Sequence, residues 1–416
     1  MPLLSTFGAA SARGFGGGLV SGFPDPDLSS LLAEQGNLGN PANRVSIIET
    51  NDSSKFLMFW WRNDYYRGAV VTVSGSSVSI GSEQQLVYNR SWSDCKNAGW
   101  HWDSASGAAI GVVVDDGSGD QIKACRVTYS GNSMSYTVSS GIENANNYRP
   151  PYGYGPACRY DPTNNVYFAI YGDSYTVQAR PFTVSGSSFS FGTRRSLGVT
   201  HQGYYLMNSV FKDDTSDLFI VCQRYSSGSG NYWNTISSLR YSGGTDGTWT
   251  GNVTNSNYKT IGTQTHDPAI MFNPEEGTLV VTGRDGNNGD IFKPITPNSN
   301  GSLSYGSDYY FNATNPSQPN QQNTSASYGC FYDPVSKANI LAEYYSQYSI
   351  KLWKLRTSGT SISEFESFAT LFNPYTFVSD AVVYDSTNDR TLLGYGNGKD
   401  PYAFPSYWVS VRSLSG

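Results

Sequence analysis

A short pattern that recurs along the chain constrains its fold more than any other feature. The clearest copies are Cys158–Asn165, Cys330–Lys337 and Val382–Asp389, in which an apolar stretch ends in Tyr-Asp and is followed by a polar turn. Weaker copies centre on Asn51, Asp103, Asp213 and Asn273, so seven units follow one another at steps of 52 to 60 residues. Repeats of roughly this length, with several short strands each, are typical of β-propeller blades.

Each unit contains four β-strand patterns. The Tyr-Asp turn leads into a β-rich run such as Val166–Tyr171, and a third run such as Val177–Val184 ends near Ser-Gly. A fourth run, Ser188–Gly192, alternates apolar and polar residues, as a strand with one buried face does. Asp favours an Asx turn at the first bend, and glycine supplies a positive φ at the second. The sequence therefore predicts an all-β fold: a seven-bladed β-propeller with four-stranded blades.

The seventh unit shows only three strand patterns, the last of them Trp408–Arg412. The N-terminal segment Leu4–Gly8 is similar to the fourth-strand pattern Ser188–Gly192. We therefore expect an N-terminal strand, Leu4–Gly8, to be added to the last blade and to close the ring, which removes two exposed sheet edges. Residues 1–40 would form this closing strand and a linker, and residues 41–416 the propeller; a flexible N-terminal tail is the alternative.

Composition excludes several classes of protein. The chain is only 14% charged, but its 31 Tyr, 20 Phe and 9 Trp carry enough burial area to argue against disorder. A net charge of −6 without charge runs argues against nucleic-acid binding. No apolar stretch approaches 18 residues, so no membrane insertion is expected, and the N-terminus does not have the pattern of a signal peptide.

The sequence predicts no cofactor and no metal. The five cysteines match neither a zinc pattern nor a disulfide framework, and four of them fall in predicted strands as buried thiols. Two Gly-rich segments, Asp115–Asp120 and Asp285–Asp290, each offer two or three oxygen ligands. Calcium prefers six to eight oxygens, so we interpret both segments as turns between strands.

A candidate ligand-binding surface follows from the topology. In a four-stranded blade the A–B and C–D turns lie on one face, and the B–C and D–A connections lie on the other. The second set is long and aromatic in this sequence, and loops on a rigid scaffold commonly carry binding sites. Tyr and Trp beside amide, carboxylate and guanidinium groups suit recognition of a glycan or a partner protein. The candidate residues are Tyr65, Tyr66, Trp92, Trp100, Tyr148, Tyr152, Tyr154, Tyr232, Trp233 and Tyr345.

No catalytic motif is evident. The three histidines, His101, His201 and His266, are few, and we expect His101 and His266 to be structural. The sequence contains no Gly-x-Ser-x-Gly elbow, phosphate loop or His-Glu-x-x-His. We therefore predict no catalytic residues and a protein that is not an enzyme.

The N-terminal segment Leu4–Gly16 resembles the start of tail-fibre and other structural proteins of tailed phages, especially marine and cyanobacterial ones. The repeated Thr-Val-Ser-Gly-Ser-Ser at Thr72–Ser77 and Thr183–Ser188 is similar to propeller repeats in such proteins. The resemblance implies a non-enzymatic virion structural or adhesion protein: a tail fibre, a tail appendage or a capsid-surface protein.

On this interpretation the protein is assembled in the host cytoplasm and released in the virion without a signal peptide. Its partners would be other virion structural proteins and a host surface glycan, and association into a homo-oligomer is left open. Two alternatives stay open as well. One is a propeller-fold glycoside hydrolase or lyase acting on host surface polysaccharide, and the other is a cellular lectin-like propeller.

Overall fold

The computed structural model describes residues 31–35, 43–88, 99–115, 117, 121–144, 156–173, 176–200, 210–226, 232–251, 259–260, 270–285, 289–312, 329–346, 349–372, 374–375, 382–398 and 407–413. The regular elements within these ranges are 34 β-strands in seven antiparallel sheets. Each sheet is one blade, and strand A of one blade packs beside strand A of the next at five of the seven boundaries between described blades. The predicted seven-bladed β-propeller is thus confirmed. Within the same ranges, no helix is long and apolar enough to cross a membrane.

The two inner strands of every blade are joined by the turn that carries the repeated motif. Strand A of blades 1 to 7 is β2 (Asn43–Glu49), β7 (Gly99–Asp103), β12 (Ala157–Asp161), β17 (Val210–Asp213), β22 (Ile270–Asn273), β27 (Gly329–Asp333) and β32 (Val382–Asp385). Strand B is β3 (Lys55–Arg62), β8 (Ala108–Asp115), β13 (Val166–Asp173), β18 (Leu218–Ser226), β23 (Thr278–Asp285), β28 (Ala338–Ser346) and β33 (Arg390–Gly398).

The two outer strands complete each blade. Strand C is β4 (Tyr65–Ser74), β9 (Gln121–Ser130), β14 (Thr176–Ser185), β19 (Tyr232–Ser242), β24 (Gly289–Pro297), β29 (Ser349–Ser358) and β34 (Tyr407–Ser413). Strand D of blades 1 to 6 is β5 (Ser77–Ile80), β10 (Ser133–Val138), β15 (Ser188–Phe191), β20 (Thr248–Gly251), β25 (Leu303–Tyr305) and β30 (Ser361–Phe372).

Strand D is interrupted in the first five blades. A second segment then pairs with the other half of strand C: β6 (Gln84–Tyr88), β11 (Glu143–Asn144), β16 (Arg195–Thr200), β21 (Lys259–Thr260) and β26 (Tyr309–Asn312). In blade 7 the short β31 (Pro374–Tyr375) pairs with strand B, beside strand A. These interruptions shorten the exposed outer edge of the first five blades, which lowers the risk of pairing with another chain.

The ring is closed by an N-terminal strand, as expected, but a different segment provides it. Strand β1 (Leu31–Gln35) pairs with β34 as strand D of blade 7, with Leu31 opposite Arg412 and Gln35 opposite Val409. The predicted segment, residues 4–8, lies outside the described residues. Leu32 and Ala33 pack against the core between blades 7 and 1, so the closing strand contributes apolar contacts as well as a sheet edge.

The hydrophobic core lies between the faces of neighbouring blades rather than within one blade. Between blades 1 and 2, the rings of Phe59 and Trp100 stack with their centroids 4.1 Å apart. Trp100 also covers Gly111, where an added Cβ would lie 2.5 Å from the indole ring. Bulky rings held against small residues in this way give the close packing that core stability requires.

Alternating strand direction divides the surface into two faces. We call the face with the A–B and C–D turns the turn face, and the face with the B–C and D–A connections the loop face. The D–A connections are long, but the B–C connection of blade 1 is a two-residue turn. Its residues, Asn63 and Asp64, have φ values of 48° and 61°, as a type I′ hairpin requires. The prediction of long B–C loops is therefore wrong for this blade.

Candidate functional site

The repeated Asp of the motif stabilises the turn face and is buried. Asp161 Oδ1 accepts hydrogen bonds from the backbone N–H of Thr163 at 3.0 Å and of Asn164 at 3.4 Å. Its Oδ2 accepts a bond from Asn164 Nδ2 at 2.7 Å. The carboxylates of Asp213, Asp333 and Asp385 accept equivalent bonds from their own turns. Because these oxygens bond backbone and side-chain N–H groups of their own turns, we assign them a structural role.

In blade 1 a threonine takes the place of this aspartate. Thr50 Oγ1 accepts a bond from the backbone N–H of Asp52 at 3.1 Å, two residues ahead, as Asp161 does. The strand register agrees: Glu49 pairs with Phe56, which places Thr50 where blade 3 has Asp161. The motif of blade 1 is thus centred on Thr50 and not on Asn51 as the sequence predicted, because a hydroxyl can form the same local turn more weakly.

The turn face also links neighbouring blades. Asn164 of blade 3 donates to the carbonyl of Tyr241 in blade 4 at 3.2 Å and accepts from the N–H of Gly243 at 3.0 Å. Thr391 of blade 7 donates to Asp333 of blade 6 at 2.5 Å. Trp102 of blade 2 donates to Asn51 of blade 1 at 2.9 Å. The polar groups of this face thus hold the ring together, which leaves the loop face as the candidate recognition surface.

The loop-face end of blade 1 is built around one carboxylate. Glu83, between β5 and β6, accepts hydrogen bonds from Trp60 Nε1 at 3.2 Å, Arg62 Nε at 3.2 Å and Arg67 Nη1 at 2.6 Å. Arg62 Nη2 also contacts Glu83 Oε1, so the Arg62–Glu83 pair is bidentate. The three charged side chains are only 11–14% exposed. Charge-assisted bonds of this kind fix side-chain geometry, so they rigidify this end of the blade.

Two tyrosines, Tyr65 and Tyr88, lie beside this ion-pair cluster. The rings of Tyr65 and Tyr88 meet edge to face, with centroids 5.0 Å apart and planes inclined by 62°. The guanidinium of Arg67 lies 5.5 Å from the centroid of the Tyr65 ring, within the range of a cation–π contact. The register explains the meeting, since Tyr65 at the start of β4 pairs directly with Tyr88 at the end of β6. Both tyrosines are half-buried, so part of each remains open to solvent.

Two predicted site residues belong to the core instead. Tyr66 and Trp100 are 2% and 3% exposed and lie in the cluster between blades 1 and 2. Tyr66 alternates with Tyr65 along β4, so its side chain points between the blades. Trp100 lies in β7 and stacks on Phe59. Their assignment as surface contacts is corrected accordingly, because the predicted loops at these positions are strands.

The other predicted residues stay predictions. Tyr232 and Trp233 lie in β19, opposite Ser226 and Tyr225, and Tyr345 lies in β28. Trp92, Tyr148, Tyr152 and Tyr154 lie outside the described residues. Of the predicted residues, Tyr65 is the one whose described contacts, with Tyr88 and Arg67, place it at the candidate site. Its partner Tyr88 was missed, although it directly precedes an aromatic D–A connection and could have been included on that ground.

The titratable groups at the inner strands are structural. His101 in β7 is buried and stacks on Tyr160 of the next blade with centroids 4.7 Å apart. Burial lowers the pKa of His101 to about 4, which keeps the imidazole neutral. Burial raises the pKa of Glu49, at the end of β2, to about 7. Cys125, Cys158 and Cys222 carry buried thiols that are not joined in disulfides, as predicted for cysteines in strands. Among described residues, no group of three or more His, Cys, Asp or Glu could hold a metal.

The chain matches solved structures only at low identity. No protein-family model and no curated protein matches the chain. A solved Lactobacillus plantarum protein matches with a TM-score of 0.48 and 11% identity, covering 80% of this chain and 87% of its own. The periplasmic gluconolactonase of Pseudomonas aeruginosa matches with a TM-score of 0.43 and 10% identity, covering 80% and 88%. A candidate 6-phosphogluconolactonase from Bacteroides fragilis has a TM-score of 0.41, 10% identity and coverage of 78% and 86%.

These neighbours correct one prediction and leave another without support. The prediction that the protein is not an enzyme is corrected, since the lack of a catalytic motif in the sequence does not exclude catalysis. Two of the solved propellers that match the chain bear the names of lactonases. At identities of 10–11% and TM-scores below 0.5, these matches assign no reaction to this chain. None of the three neighbours is a phage protein, so the virion assignment gains nothing from them.

Proposed function

We propose that the protein binds carbohydrate through the loop face of its propeller. The observation that carries the proposal is the meeting of Tyr65, Tyr88 and Arg67 at the loop-face end of blade 1. The turn face is the weaker candidate, because its carboxylates and amides already form hydrogen bonds to their own turns and to neighbouring blades.

The chemistry of the pair fits a sugar. A pyranose presents C–H groups on its flat faces and hydroxyls around its edge. A tyrosine ring offers an apolar face for the first and a phenolic O–H for the second, and it loses little rotamer entropy on contact. Glu83 holds Arg67 by an ion pair, and Arg67 lies over the Tyr65 ring, so the ring is positioned before a ligand arrives. Preorganisation of this kind lowers the entropic cost of binding.

The test is retention of the wild-type protein on an array of neutral and acidic glycans, with each bound glycan then assayed for new reducing ends or unsaturated ends. Retention supports the proposal. Turnover of the retained glycan would identify the hydrolase or lyase alternative acting through the same face. Absence of retention on every glycan would contradict the proposal.

A pair of variants locates the binding face. Tyr65→Ala should weaken retention about tenfold, which corresponds to about 1.4 kcal/mol. Tyr384→Ala is the matched control, because Tyr384 is 39% exposed but lies on the turn face, where its hydroxyl bonds Asp389. Equal effects of the two substitutions would argue against the loop face.

The setting we propose is the surface of a phage particle, with other virion proteins as neighbours. It rests on the resemblance of the N-terminal segment. The fold is compatible with it, since Leu31 and Ser413 both lie at the turn-face end of blade 7, opposite the loop face. Mass spectrometry of purified particles tests the setting: the chain should co-purify with intact virions, and its presence only in the cell fraction would contradict the proposal.

A further inference from the structure

The outer strand of blade 2 packs directly against blade 1. Met134 in β10 joins the core between the two blades, and a Cβ added to Gly68 in β4 would lie 2.9 Å from the Met134 sulfur. Gln84 at the start of β6 accepts a bond from the Met134 N–H at 2.5 Å and donates to the carbonyl of Asn132 at 3.0 Å. The position of β10 relative to blade 1 is therefore fixed by both apolar and polar contacts.

This packing brings a third tyrosine towards the loop-face end of blade 1. Tyr136 follows Met134 by two residues in β10, so both side chains lie on the side that faces blade 1. Its ring is 46% exposed, one of three exposed large apolar side chains among described residues. Strand β10 begins at the C–D turn on the turn face, and its Met134 lies at Gly68 of β4. Tyr136, two residues further along β10, therefore lies closer than Met134 to the loop-face end of blade 1. Burial raises the pKa of Tyr136.

An ion pair of blade 2 lies on the same side. Lys123 Nζ donates to Asp115 Oδ2 at 2.7 Å, and the two side chains are 9% and 15% exposed. Asp115 Oδ1 also accepts the N–H of Gly117 at 2.9 Å. Gly117 stands beside blade 1, since a Cβ there would lie 3.7 Å from Cδ1 of Tyr88. The B–C connection of blade 2 thus borders the Tyr65–Tyr88 pair.

We propose that Tyr65, Tyr88 and Tyr136 form one groove across the boundary of blades 1 and 2, and that this groove binds a neutral oligosaccharide. We call these three residues the tyrosine groove. The inference rests on the proposed function and names the site and the class of ligand.

The charges around the groove favour a neutral ligand. Arg62 and Arg67 bond Glu83, and Lys123 bonds Asp115, so the described cations near the groove already contact carboxylates. A uronate or sulfate would have to compete with these contacts. Sugar hydroxyls can instead join them, because a hydroxyl donates to a carboxylate and accepts from a cation.

The arrangement of the rings favours more than one sugar. Tyr65 and Tyr88 belong to blade 1 and meet each other edge to face, whereas Tyr136 belongs to blade 2. A single pyranose has two faces and cannot cover three rings from two blades. We therefore expect a tetrasaccharide to bind much more tightly than its monosaccharide unit.

The experiment titrates the full-length protein with neutral tetrasaccharides (cello-, malto- and mannotetraose) and with tetragalacturonate. We expect at least one neutral tetrasaccharide to bind, the corresponding monosaccharide to bind at least about tenfold more weakly, and affinity to change less than about twofold between low and high salt. Tyr136→Ala and Tyr88→Ala should each weaken binding about tenfold, and Tyr384→Ala should leave it unchanged. Tyr136→Phe should retain most of the affinity, because it keeps the aromatic ring that stacks on the sugar.

The outcomes separate this inference from the proposed function. Binding that Tyr65→Ala weakens but Tyr136→Ala leaves intact overturns the groove and retains carbohydrate binding at the loop face. Binding of tetragalacturonate alone, with steep salt dependence, overturns the neutral class of ligand. Failure of every glycan to bind overturns both. Melting temperatures of the variants within a few degrees of wild type exclude misfolding as the cause.

Discussion

Arg67 donates a hydrogen bond to Glu83 at 2.6 Å while its guanidinium covers the ring of Tyr65. One arginine thus joins the ion-pair cluster to the candidate binding surface. The cluster lies at the end of a blade, where a two-residue turn and an interrupted outer strand bring β3, β4 and the β5–β6 connection together.

Removal of the shared carboxylate should destabilise the fold. Glu83→Ala leaves two largely buried guanidiniums without their acceptor, and loss of one partner of a buried pair costs about 3 kcal/mol. Glu83→Gln keeps an acceptor oxygen and should cost less. Urea denaturation of both variants measures the difference. An alanine variant as stable as wild type would show that the cluster contributes little to folding.

The A–B turn of blade 6 should accept a stabilising glycine. Lys337 has φ +52°, a left-handed conformation that costs a side chain roughly 1–2 kcal/mol. Its ion pair with Glu275 at 3.2 Å is about a third exposed and is worth little. Lys337→Gly should therefore raise the free energy of unfolding by about 0.5–1 kcal/mol. Lys337→Ala, which keeps the Cβ, is the control and should bring no gain.

His101 should make the fold sensitive to acid. Its pKa is about 4 in the folded state, against an ordinary value of 6.5, because burial disfavours the imidazolium. The stabilising contribution of the neutral ring is complete above pH 6.5, falls as the pH drops towards 4 and is lost below that. His101→Phe keeps an aromatic ring against Tyr160 and should lose less stability than wild type between pH 7 and 4. Parallel pH profiles of the two proteins would contradict this assignment.

Glu49 should act in the opposite direction. Burial raises its pKa to about 7 from an ordinary value of 4.5, so folding favours the protonated form. That contribution is complete below pH 4.5 and is lost as the pH rises through 7. Glu49→Gln should equal wild type at pH 4.5 and exceed it in unfolding free energy at pH 8. A wild-type advantage at pH 8 would show that the ionised carboxylate has a partner that compensates its burial.

The sequence sufficed for the fold because its signals are local and repeated. The Tyr-Asp turns at Asp161, Asp333 and Asp385 recur with the Ser-Gly turns, and each specifies a hairpin. The closing strand has no such turn, since its pairing with β34 joins residues far apart in the chain. Leu31–Gln35 lacks the alternation of apolar and polar residues seen in Ser188–Gly192, so the sequence predicts residues 4–8 where the structure uses Leu31–Gln35.

The site was less predictable for a related reason. Tyr65 and Tyr66 are adjacent in the sequence, yet one lies at the loop face and the other in the core. Strand alternation separates them, and this is visible only once β4 is known to begin at Tyr65. Tyr136 lies in an outer strand of a different blade, and no local pattern indicates that this strand packs against blade 1.

Hydrogen exchange with and without a retained glycan tests the central claim most directly, because it maps the ligand on the whole ring. We expect slower exchange in segments 62–67, 84–88 and 133–138, which contain the tyrosine groove. We expect no change in the motif turns at 161–165 and 385–389. Protection confined to the motif turns would contradict this claim.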